Sequence, residues 1–167
     1  MFYSSTDGQY IQEGQSFVID GVTYPPQWLN QSTAEQKAAI GLEEVIATNS
    51  PANDQYYWVS TDLNGPVLTY VNTPKDLTDV KTNAIAQTNN TAYTLLFPTD
   101  WMVVKAFETS TKVPAVWNTW RAEVRTTATN VVAMIEAAPD VAIVEGVMGN
   151  INWPKDPDQV AASLVSE

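Results

Sequence analysis

The feature that most constrains this chain is an apolar stripe in its second half. Val113, Trp117, Trp120, Val124, Thr127 or Ala128, Val131 and Ile135 recur at intervals of four and three. That spacing lines one face of an α-helix over about six turns, and it suits packing against another helix. Two tryptophans lie on the stripe, which makes them core anchors. Pro114 stands where a first-turn proline belongs, and Ala137-Ala138-Pro139 ends the run.

The segment before the stripe is also helical in period. From Pro74 onward, Leu77, Val80, Ala84, Ile85, Ala92, Leu95 and Leu96 fall at helical spacings. QTNNTAY in its middle is a poor helix former, so a break is expected there. Pro98 ends the segment, and Thr99 or Asp100 is placed to cap a short helix from Trp101 to about Thr109. After the stripe, PDVAIVEGVM reads as a short helix stopped by Gly149, NINWPKDPD as a loop, and DPDQVAASLVSE as a terminal helical turn.

The first half has a different rhythm. Residues 1–14 read as an extended, polar lead. QSFVIDGVTY (15–24) reads as a β-hairpin, because Asp20-Gly21 suits a tight type I′ turn. Pro25-Pro26 ends its second strand. Ser32 with Glu35 predicts a capping box for a helix that stops at Gly41, with Trp28 and Leu29 stapled ahead of it. Leu42–Ile46 returns as a strand, NSPAN (49–53) is a loop, and QYYWVSTDLNGPVLTYV (55–71) is a second hairpin turning at Asn64-Gly65-Pro66. Both faces of that hairpin carry apolar residues, so one is expected to meet a partner. The expected class is α+β, with a β-rich region over 1–72 and an antiparallel helical region over 73–167.

Composition bears on function. Neither histidine nor cysteine occurs. The commonest general base, the commonest transition-metal ligand and every thiolate chemistry are therefore missing. The 19 acidic and 8 basic residues leave a net charge of −11, which repels phosphate backbones and anionic lipid. MFYSSTDGQYIQEG has neither the basic start nor the apolar run of a signal peptide. No window approaches the length of apolar sequence that spans a membrane. No catalytic residue, cofactor or metal site is expected.

The acidic pairs Glu43–Glu44, Asp76–Asp79 and Asp156–Asp158 fit strand, helix-start and loop positions better than catalysis. Asp62-x-Asn64-Gly65 lacks the spacing and distal glutamate of a calcium loop. Lys105 and Glu108 read as a surface pair. Arg121 and Arg125, beside the tryptophans, fit either an interface hot spot or pairing with acids of the chain. A partner interface is expected to centre on Tyr56, Tyr57, Trp58 and Tyr70 of the second hairpin, or on Trp101 and Trp153, with Arg121 and Arg125 as further candidates.

An ordered series in the second half resembles a known family. Thr99-Asp100-Trp101, Lys105, Glu108, Pro114 and Trp117-x-x-Trp120-Arg121-x-x-Val124-Arg125 are similar to the C-terminal segment of phage tail fibre and tail fibre assembly proteins. Trp120 stands where the family pattern usually has tyrosine. Upstream, IDGVTYPPQWLNQSTAEQKAAIGLEEV resembles the start of small proteins of marine tailed phages. The resemblance implies a non-enzymatic virion protein of the tail or tail fibre, made in the host cytoplasm, oligomeric and bound to other virion proteins. It equally implies a fibre assembly chaperone. A carboxylate-based glycan hydrolase, from a different class, would need two acids about 5–9.5 Å apart across a groove.

Overall fold

The computed structural model describes residues 1–159; most of the expected terminal turn lies outside them. The fold is α+β, and the chain divides into two compact units, Met1–Thr73 and Pro74–Glu167.

The first unit begins with short strands rather than a plain extended lead. β1 (Phe2–Ser4) and β2 (Tyr10–Ile11) pair antiparallel, with Phe2 opposite Ile11. β3 (Phe17–Ile19) and β4 (Val22–Tyr24) form the expected hairpin. Its Asp20 and Gly21 take φ of 50° and 76°, the positive values that a type I′ turn requires. Beyond Pro25-Pro26 a single turn, α1 (Trp28–Gln31), precedes α2 (Ala34–Ala39). The capping box falls one residue later than expected. Ser32 N–H still donates to Trp28 O at 2.9 Å, closing α1. Thr33 and Gln36 therefore make the reciprocal cap, at 3.3 and 2.8 Å.

Gly41 ends this segment with φ of 74°, and a Cβ there would stand 2.7 Å from Thr6 Oγ1. The expected strand Leu42–Ile46 is split. β5 (Leu42–Glu44) pairs antiparallel with β1, whereas β6 (Ile46–Ala47) runs parallel to a later strand, with Ile46 opposite Val67 and Ala47 opposite Leu68. Phe2, Ile11, Phe17, Ile19, Leu29 and Leu42 form the core, with Tyr24, Trp28 and Ile40 packed on it. Phe17 stacks on Tyr24 at 5.0 Å, and Trp28 meets Tyr24 edge-on at 4.9 Å.

The second hairpin, β7 (Tyr57–Asn64) and β8 (Val67–Pro74), completes a sheet of order β6-β8-β7. The NSPAN loop is laced to it by side-chain amides. Asn49 Oδ1 accepts from Tyr70 N–H and Asn49 Nδ2 donates to Tyr70 O, both at 2.8 Å. Asn72 reaches back to Ala52 N at 3.0 Å and Ser50 O at 3.2 Å.

The second unit is helical. α3 (Leu77–Leu96) runs unbroken through QTNNTAY, against the expected interruption. The hydroxyls of Thr82, Thr88, Thr91 and Thr94 each donate to the carbonyl four residues back, so they are satisfied without leaving the helix. What outweighs the weak propensity is packing. Ala84, Thr88 and Ala92 are buried, small enough for a neighbouring helix to approach closely. A 3₁₀ turn, Phe97–Thr99, leads into α4 (Asp100–Glu108), so Pro98 tightens the chain without reversing it. α5 (Ala115–Ala137) carries the stripe, burying Trp120, Val124, Ala128, Val131 and Ile135. α6 (Val141–Gly149) starts at Asp140, whose carboxylate accepts from Ile143 N–H at 2.9 Å. α3, α5 and α6 pack on one another. Ala92, Trp120, Val124 and Ala128 form a core cluster, with Leu95, Leu96, Trp117 and Trp153 against it. Trp120 Nε1 donates to Pro154 O at 3.1 Å, which ties the 150–156 loop to α5.

Candidate partner-binding surface

The expected interface residues separate by burial. Tyr56 is buried, and Tyr57 and Tyr70 are half-buried; Trp58 is 67 % exposed on β7. Val59, Leu63, Val67 and Val71 of the same hairpin are also exposed. In the helical unit Trp101 is 56 % exposed, whereas Trp153 is half-buried against the Trp120 cluster.

Arg121 is inside rather than on a surface, which corrects its place among the interface candidates. Its guanidinium forms an ion pair with Asp100 Oδ1 at 2.6 Å and donates to Leu96 O at 3.0 Å and to Thr99 Oγ1. The side chain is 5 % exposed, that of Asp100 51 %. Thr99 Oγ1 in turn donates to Leu96 O at 2.7 Å. One cation thus gathers the end of α3, the 3₁₀ turn and the start of α4 onto α5, with its planar fork matched to several acceptors. Tyr56, likewise buried, is withdrawn from any exposed surface. Arg125 remains exposed and donates to Arg121 O at 3.4 Å.

The acidic pairs occupy local structural positions. Asp76 Oδ1 caps α3, accepting from Thr78 N at 2.8 Å and Asp79 N at 3.1 Å. Asp156 Oδ1 accepts from Asp158 N–H at 2.7 Å. Glu43 and Glu44 are neighbours on β5, where successive side chains point to opposite faces. Among the described residues no cluster of three or more acids suits a metal ion. Every buried side-chain nitrogen or oxygen among them has a hydrogen-bond partner.

The exposed apolar surface is larger than the motifs suggested. α4 reads DWMVVKAFE and buries none of its side chains. Trp101, Val103, Val104 and Phe107 are all exposed, Phe107 at 87 %. Tyr93 and Phe97, one turn apart, are exposed too, their rings 5.5 Å from each other. Between α4 and α5, Trp101, Met102, Lys105, Lys112, Pro114 and Trp117 line a cavity of about 210 Å³. The available signal was the composition of α4 itself: a short helix with apolar residues on all sides cannot bury every side against one neighbour.

Among the described residues no helix is long and apolar enough to cross a membrane. Comparison with protein-family models, curated proteins and solved structures finds no match for the chain.

Proposed function

We propose that this protein is a non-enzymatic structural component of a phage tail or tail fibre and works by binding another virion protein. The observation that carries the binding part is α4, a helix of mostly apolar residues with no buried side chain. Exposed aromatic and aliphatic groups gathered in this way mark a surface that another chain covers. Trp58 on the second hairpin is a further exposed ring. The tail assignment rests on the ordered series from Thr99 to Arg125 and its resemblance to tail fibre proteins.

The protein composition of purified particles tests the assignment. A stoichiometric band is the expected result, and absence from particles moves the protein to the assembly-chaperone role. Trp58→Ala and Trp101→Ala should each weaken incorporation into particles while circular dichroism stays that of the wild type. Loss of folded protein in both variants would mean that each ring is needed for the fold of its own unit and is not a docking group.

A further inference from the structure

The corner between α4 and α5 has more chemistry than an apolar patch needs. Beside the cavity lined by Trp101 and Trp117 lies a second concavity of about 440 Å³. The two share Ala106, Thr111 and Lys112, so they form one trough around the α4–α5 connection, and the second adds Val103 and Phe107. None of these lining residues is acidic, in a chain with 19 acidic and 8 basic residues. Lys105 Nζ stands 5.8 Å from the centre of the Trp101 ring. Of the two acids on α4, Asp100 is engaged by Arg121, Glu108 lines neither hollow, and among the described residues neither Lys105 nor Lys112 takes part in an ion pair.

One ammonium over the Trp101 ring and a second, that of Lys112, lining the same hollows favour an occupant with carboxylates and apolar groups. The chain's net charge of −11 disfavours such an occupant in general, so a corner with two lysines and no lining acid stands out for it. The trough is built of two hollows that share lining residues. Two adjoining hollows match successive side chains of a peptide better than one compact molecule.

We propose that the α4–α5 trough binds an acidic peptide segment of a partner protein. Its apolar side chains enter beside Trp101, Trp117 and Phe107, and its carboxylates meet Lys105 and Lys112. This rests on the reading above that the chain acts by holding another polypeptide, and it names the kind of segment held.

The test uses the full chain and short synthetic peptides in which glutamate alternates with leucine or phenylalanine, titrated by calorimetry and tryptophan fluorescence. Saturable binding is expected for at least one acidic peptide, weakened about tenfold or more when its glutamates become glutamines or when Lys105→Gln and Lys112→Gln are combined. Raising salt should weaken it as well. Phe107→Ser should weaken it without changing the salt dependence. The proposal is overturned if no acidic peptide binds, if glutamine peptides bind equally well, or if the double lysine variant binds as the wild type does. It is also overturned if N-acetylglutamate competes as strongly as the peptides, since the site would then take a small anion. Particle composition is scored separately. A chain missing from particles but binding acidic peptides removes the virion reading and keeps the trough; a chain present in particles with a flat titration does the reverse.

Discussion

Replacing Arg121 by alanine should destabilise the helical unit by about 2–3 kcal/mol, the range for losing hydrogen bonds to a charged group with acceptors left behind. The side chain serves Asp100, Thr99 and the Leu96 carbonyl together. Arg121→Lys should recover little, because an ammonium cannot present the same fork to three acceptors. A urea midpoint for Arg121→Ala within error of the wild type would sink this account. Glu35 offers a second test at the level of one side chain. A hydrogen bond from the Thr33 side chain, and then one from its own backbone N–H, holds its carboxyl below the usual range. A depressed folded-state value adds stability above the ordinary carboxylate range, and that stability is lost as pH falls through the lower folded value. In Thr33→Ala the Glu35 carboxyl, followed by NMR, should therefore titrate at higher pH than in the wild type. An unchanged titration would remove Thr33 as the cause.

Among the elements, the loop at 49–53 shows how irregular chain is held without a ladder. Asn49 imitates a strand residue toward Tyr70, and Asn72 does the same toward Ser50 and Ala52. Asn49→Ala should accelerate hydrogen exchange at Tyr70, and Asn72→Ala should do so at Ala52. Each change should cost about 1 kcal/mol, the net value of such bonds. Exchange unchanged at both amides would show that the loop is held by other means. These bonds were invisible in NSPAN, which carries only the composition of a turn. The Asp20-Gly21 turn was visible, because positive φ at two successive residues restricts the choice of residue. The cap of α2 was legible to within one residue. Ser32 and Thr33 offer the same oxygen, and what separates them is that Ser32 still closes α1. The continuity of α3 is not legible locally, since helix propensity counts threonine and asparagine as weak formers while burial of Thr88 and Ala92 overrides it.

Across the whole molecule, Met1–Thr73 and Pro74–Glu167 each have their own core cluster. Thermal unfolding should therefore proceed in two transitions, with the loss of far-UV helical signal separated from a transition that leaves it intact. A single coincident transition by both far-UV and aromatic signals would mean that the units unfold as one. The sequence by itself determined the change of period at Pro74, the stripe on α5, the turn at Asp20-Gly21 and the α+β class. These follow from rules that act between residues a few positions apart: which φ values a side chain tolerates, and which residues fall on one side of a helix. Only the tertiary structure decided that Arg121 is buried among backbone acceptors, that α4 keeps its apolar side chains outside, and that Lys105 and Lys112 frame a trough with Trp101 and Trp117. Burial and pairing depend on segments far apart in the chain being brought together, and no local pattern records which apolar face will be covered.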